Sequence, residues 1–142
     1  MGKEIIARAS ITIRAPVAKV WDALVKPEII KQYMFGTAVA SDWKEGSPIT
    51  WKGEWKGKAY QDKGVIKRIN PPRLLQYTHF SPLTGEPDKP ENYHTVTVEL
   101  SEDPAGTRVV LAQDNNANEE AREHSETNWK MMLEGLKKLL EK

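Results

Sequence analysis

The sequence predicts an α+β fold: one strand, two short helices, six further strands in an antiparallel meander, and a long terminal helix. Three observations predict it. Apolar residues alternate at the start of the chain. They alternate again in short runs, divided by turn residues, through the middle. They recur at three- and four-residue steps over the last segment. At 142 residues the chain reads as a single domain, 1–142, long enough to bury roughly 70% of the surface that its unfolded form exposes.

In EIIARASITIRAP, Ile5, Ala7, Ala9, Ile11 and Ile13 share one face, which marks a half-buried strand. Pro16 suits an early helical position, and Val17, Val20, Trp21 and Leu24 follow at helical spacing until Pro27 interrupts them. A second short helix is expected for PEIIKQYM, with Ile29, Ile30, Tyr33 and Met34 as its apolar side. Strands are expected over 36–42, 48–55, 58–69, 73–80, 92–101 and 106–114, separated by KEGS, WKGK, NPPR and EDPAG. Short connections between consecutive strands imply antiparallel pairing. SPLTGEPDKPEN, residues 81–92, is long for a hairpin connection and reads as a loop. The terminal helix starts near Asn116, which with Glu119 resembles a capping box. It carries Ala121, Ser125, Asn128, Trp129, Met132, Leu136, Leu139 and Leu140 on one face. Gly135 inside that helix costs roughly 1 kcal/mol relative to alanine, so either a neighbouring backbone approaches it or the space it leaves is used.

Charge and composition exclude several functions. Lys+Arg (21) and Asp+Glu (20) nearly cancel, leaving no overall field to hold nucleic acid or an anionic membrane surface. No cysteine is present, so there is no disulfide scaffold, thiol nucleophile or Cys-ligated metal, and a cytoplasmic location is the default expectation. MGKEII lacks a signal core, Ile6 stands where myristoylation needs Ser or Thr, and no apolar run reaches membrane length. His79, His94 and His124 lack ligand-like spacing, no nucleophile elbow is present, and neither GEWKG nor KEGS is a phosphate-binding loop. No metal or cofactor is therefore expected. One acid-base possibility survives: His79 or His94 beside Tyr77 or Tyr93.

ITWKGEW places Trp51 and Trp55 on one strand face with only Gly53 between them. A tryptophan buries on the order of 200 Å², worth about 5 kcal/mol at roughly 25 cal/mol per Å², so both should face inward. Either they are core, or the gap at Gly53 makes them pocket walls. Trp21 and Trp129 lie on helical stripes and read first as core, while Trp43, ahead of the KEG turn, is expected to cap a sheet edge. Strand parity groups Leu75, Tyr77 and His79; His94, Val96, Val98 and Leu100; and Thr107, Val109, Leu111 and Gln113 as inward faces. Tyr77, His79, His94 and Gln113 are then polar groups among apolar ones, as in pockets that orient a ligand.

The order of elements, with IRAPVAKVWDALVKPEIIKQY, DWKEG, GVIKRINPPRLLQYT, YHTVTVELSED, GTRVVLAQ and NWKMMLEGLKKLLE, resembles the START-related helix-grip proteins (the SRPBCC group). Within that group it is similar to the branch of the activator of the heat-shock-protein-ninety ATPase. The resemblance covers essentially the whole chain and departs where Asn128, rather than the glycine of many relatives, precedes Trp129. It implies a curved seven-stranded antiparallel sheet wrapped around the terminal helix, with an apolar cavity between them. Such cavities take lipids, sterols, polyketides or other amphipathic molecules in relatives, and a few relatives are cyclases or hydrolases. The expected function is non-catalytic binding of a small hydrophobic ligand (lipid, polyketide or aromatic). The alternatives are a cyclase-like or hydrolase-like enzyme and a co-chaperone-like partner module. The residues expected to line the cavity are Trp51, Trp55, Tyr77, His79, His94 and Gln113 from strands, Met34 from the second helix, and Trp129, Met132 and Leu136 from the last. The family contains both monomers and dimers, which leaves a homodimer open.

Overall fold

The computed structural model describes residues 5–34, 36–55, 57–81 and 87–141, with only the backbone at Trp55 and Pro90. Its elements are β1 (Ala7–Ile13), α1 (Val17–Val25), α2 (Pro27–Tyr33), β2 (Ala38–Ser41), β3 (Pro48–Trp55), β4 (Lys58–Asn70), β5 (Leu74–His79), β6 (His94–Asp103), β7 (Gly106–Gln113) and α3 (Glu119–Leu140). This is the predicted order, with the expected strands shifted at their ends by a few residues. The seven strands form one open sheet in the order β1-β7-β6-β5-β4-β3-β2, and every neighbouring pair is antiparallel. β1 and β2, separated in sequence only by the two short helices, therefore stand at opposite edges.

Local chemistry explains the helices. Lys26, held extended ahead of a proline, ends α1, and Pro27 opens α2 at a position where its missing N–H is no loss. Pro16 is the residue before the first helical turn rather than part of it. The Tyr33 hydroxyl donates to the Ala23 carbonyl at 2.6 Å, in the core, and ties α2 to α1. The cap of α3 differs from the expected one. Asn118, not Asn116, holds the N-cap, its side chain accepting from the Ala121 N–H at 2.8 Å. Asn116 is instead buried, donating to the carbonyls of Ile5 and Gln113 and accepting from Ser125. Both asparagines satisfy orphaned backbone groups, and the three-residue spacing alone did not say which faced the helix.

Period-two alternation sorts the sheet into two faces. Ala9, Ile13, Val39, Ile49, Trp51, Ile66, Leu75, Val96, Val98, Leu100, Val109 and Leu111 form the inner one, all buried. Val20, Trp21 and Leu24 of α1, Ile30 and Tyr33 of α2, and Leu133, Leu136 and Leu140 of α3 complete the same cluster. α3 also covers the outer edge of β1. Glu126 accepts from the Arg8 backbone N–H at 3.0 Å, Glu141 accepts from the Arg14 N–H at 2.8 Å, and Lys137 donates to the Thr12 carbonyl at 3.1 Å. An edge strand offers such groups to any other chain that can pair with it, and here helix side chains occupy them.

Gly135 faces α2 at ordinary contact distance: a methyl built there lies 3.8 Å from Tyr33 Cβ. No backbone closely approaches it. Gly64 is the opposite case, because a methyl there would fall 1.7 Å from the Thr78 carbonyl oxygen. It lies just ahead of the irregularity between Ile66 and Arg68 where β4 shifts register against β5.

Candidate ligand-binding recess

The inner face is not filled evenly. Between α1, α2, α3 and the sheet, Leu24, Ile30, Val39, Trp43, Ile49, Leu75 and Leu133 close around a space of only about 40 Å³. That is far below the roughly 300–1,000 Å³ of a ligand pocket. Toward the ends of β5, β6 and β7 the packing opens. A recess of about 220 Å³ is bordered by Met34, Thr37, Trp51, Tyr60, Asp62, Tyr77, His79, His94, Gln113 and Trp129. A second, of about 320 Å³, shares Met34, Thr37, Tyr60, Gln113 and Trp129 and adds Ser125, Asn128 and Met132. The two adjoin, and the outer one reaches the lower end of the roughly 300–1,000 Å³ usual for ligand pockets.

Strand register builds the walls. Trp51 on β3 is opposite Asp62 on β4, and His79 on β5 is opposite His94 on β6. Trp51 is 6% exposed and stands between core and recess. Its ring centroid is 5.3 Å from that of Tyr77 and 4.9 Å from that of His79, the latter edge-on. His79 Nε2 lies 2.9 Å from Asp62 Oδ2, so a hydrogen on that nitrogen is donated to the carboxylate. The other carboxylate oxygen, Oδ1, is buried with no hydrogen-bond partner among the described residues. His94 Nδ1 is 2.9 Å from the Asp114 carbonyl oxygen. A carbonyl only accepts, so Nδ1 carries the hydrogen, and in the neutral ring Nε2 is an acceptor. At the end of β7, Gln113 Oε1 accepts from Trp129 Nε1 at 2.6 Å, which fixes the indole against the sheet. Burial pushes the ionisation of the Tyr77 hydroxyl well above its ordinary value, and that of Tyr33 likewise. Tyr77 is therefore a neutral hydrogen-bond donor across the physiological range and no ready base.

Gly53 has a different answer from the one its spacing suggests. Its cross-strand partner is Tyr60, whose side chain lies over the glycine; a methyl built there would fall 2.7 Å from the Tyr60 hydroxyl. That hydroxyl is 3.0 Å from Thr37 Oγ1. The space left by the missing side chain is occupied by a third aromatic ring, which becomes a wall of both recesses.

The structure brings Met34, Trp51, Tyr77, His79, His94, Gln113 and Trp129 together around the first recess, with Met132 on the second. Leu136 is fully buried in the core and borders neither. The side chain of Trp55, and residues 82–86 of the expected 81–92 loop, lie outside the described residues. Leu136 thus corrects one expectation, and two more are corrected. Trp43 does not cap an edge: it packs on the core and borders the small apolar space, held with a positive φ of 56°. Tyr93 does not join the histidines. Its hydroxyl donates to Asp88 and its ring stacks on Phe80 at 5.1 Å, away from the recess residues. Thr37, Tyr60 and Asp62 went unread. The signal for the last two was parity: both stand an even number of positions before Ile66, the buried anchor of β4.

Comparison with known proteins identifies the group. The family model described as activator of Hsp90 ATPase homolog 1-like protein matches residues 14–141. The chain belongs to this family. The solution structure of ChR145 from Cytophaga hutchinsonii is 62% identical, covers 99% of this chain and 97% of its own, and superposes with a TM-score of 0.87. CalU16 from Micromonospora echinospora is 27% identical over 92% of this chain and 71% of its own, with a TM-score of 0.68. The Aha1 dimer from Colwellia psychrerythraea shares the fold at 20% identity and a TM-score of 0.74, covering 96% of each chain. No curated protein matches the chain. Family and fold together make it a ligand-binding or partner-interacting module. Among the described residues no helix is long and apolar enough to cross a membrane, and no group of three or more His, Asp or Glu side chains is placed to hold a metal ion.

Proposed function

We propose that the chain binds a small molecule with an apolar body in the recess between the sheet and α3, without converting it. The observation that carries this reading is the composition of one wall: Met34, Trp51, Tyr77 and Trp129 supply apolar surface, while Thr37, Asp62, His94 and Gln113 converge on the same space. Few polar groups set in an apolar lining is the arrangement that orients ligands. The reading is tested by thermal melts and by tryptophan fluorescence against lipids, polyketides and aromatic compounds. A ligand at 100 times its dissociation constant adds about 2.7 kcal/mol. Saturable binding that Trp129→Ala weakens supports the site; affinity untouched by Trp129→Ala and by Tyr77→Phe refutes it.

A second reading, acid-base catalysis, is favoured by one specific feature, the contact between His79 and Asp62 at 2.9 Å. A carboxylate that holds one ring nitrogen orients the other for proton transfer. A compound consumed at the same rate by His79→Ala/His94→Ala and by the unaltered chain removes it. By likeness to the Colwellia psychrerythraea dimer, self-association is a separate proposal, and sedimentation equilibrium decides it. A cytoplasmic site of action fits a chain with no cysteine.

A further inference from the structure

We propose that the recess selects ligands whose polar end is a hydrogen-bond donor or a cation, and rejects carboxylates and other anions. This rests on the binding reading above and adds to it the chemistry of the ligand. The sequence contains 21 lysines and arginines, and among the described residues none borders either recess; the single charged side-chain type present is the carboxylate of Asp62. While His79 and His94 are neutral, an anion entering this space meets no counter-charge and a carboxylate in the wall.

The hydrogen-bonding groups point the same way. A carboxylate accepts up to about four hydrogen bonds; in Asp62, Oδ2 has His79 and the buried Oδ1 has no partner among the described residues. Buried polar atoms without partners are uncommon and call for a reason, and a donor arriving with a ligand, accepted after a small turn of the carboxyl group, supplies one. His94 presents a second acceptor, since its Nδ1 hydrogen is committed to the Asp114 carbonyl. The strongest donor nearby, Trp129 Nε1, is already spent on Gln113. What remains to donate is neutral: the Tyr77 hydroxyl, one hydroxyl hydrogen of the Thr37–Tyr60 pair, and the Gln113 and Asn128 amides, fit for a carbonyl or ether oxygen. The rings of Trp51, Tyr60, Tyr77 and Trp129 on the same walls favour a cation over an anion through their negative faces.

The test uses four probes with one apolar body: 2-naphthol, 2-naphthylmethylammonium, 2-naphthoate and 2-methylnaphthalene. Each is titrated into the ¹⁵N-labelled full chain while the indole N–H signals of Trp51 and Trp129 are followed. The expected result is that naphthol and the ammonium bind at least about tenfold tighter than naphthoate, a difference of about 1.4 kcal/mol. In Asp62→Asn that gap narrows and naphthoate gains. Naphthoate binding as tightly as naphthol in the unaltered chain, or a gap that Asp62→Asn leaves intact, overturns the inference while binding itself stands. None of the four shifting either indole overturns the binding reading and the inference together. Should Asp62→Asn fail to fold, the ranking in the unaltered chain decides alone.

Discussion

Gly135→Ala should stabilise the protein, and the structure sets the amount. The glycine is the seventeenth residue of a helix of 22, where alanine is favoured by about 0.8–1.0 kcal/mol on backbone entropy. The new methyl meets Tyr33 Cβ at 3.8 Å and the Tyr33 carbonyl oxygen at 3.9 Å, ordinary van der Waals contact with nothing to displace. Partial burial of that methyl adds a few tenths of a kcal/mol, against roughly 0.8 for a fully buried one. The expected gain is about 1 kcal/mol. With an unfolding entropy of about 2.1 cal/mol/K per residue, a chain of this length gains about 3 °C in Tm. Urea and thermal melts of the two proteins measure it, and an unchanged m-value shows that the shift in midpoint is a change in stability. A loss of stability, or a shift below 1 °C, would refute the reasoning. α2 would then press on α3 more tightly than these distances allow, and the glycine would be a packing requirement.

Substitutions at two further positions separate core from edge. Trp51→Ala removes a ring that is 6% exposed and should cost about 3–5 kcal/mol, so its effect on ligand binding is read only from Trp51→Phe, which keeps an aromatic wall; a cost under 1 kcal/mol by urea melt would show that the indole is not core. Glu126 is held below the usual carboxylate range, first by the Arg8 backbone N–H and then by Arg122. A carboxylate lowered in the folded state stabilises above its unfolded value and stops doing so as the pH falls through its folded one. The stability difference between the unaltered chain and Glu126→Gln should therefore be full at pH 7 and close below about pH 4; a gap that is the same at both would assign the effect to packing.

Much of the recess was legible because a strand has only two faces. Once Leu75, Val96 and Leu111 are placed inward, Tyr77, His79, His94 and Gln113 must follow, and they do. The same reasoning covered Trp51 and, through the helical stripe, Trp129. Asp62 and Tyr60 obeyed the same parity on β4, but the long polar run KAYQDKG offers no large aliphatic residue beside them to mark the inner face. Trp43 was misread because its position depends on a left-handed backbone residue after β2, a conformation that costs a tryptophan about 1–2 kcal/mol. No local rule would place it there; packing of the half-buried indole against the core offsets the cost.

By itself the sequence determined the element order, the two faces of each strand and the α3 stripe, since these follow from periodicities of 2 and 3.6 residues within single elements. Which strand neighbours which residue across the sheet was decided only in three dimensions. Register sets Tyr60 over Gly53 and Asp62 against His79, and register depends on every pairing in the sheet at once. The depth of the recess was settled the same way, by how far Trp43, Ile30 and Leu133 from three separate segments close on one another. A volume left between elements is a difference of large packing terms, and no one element encodes it.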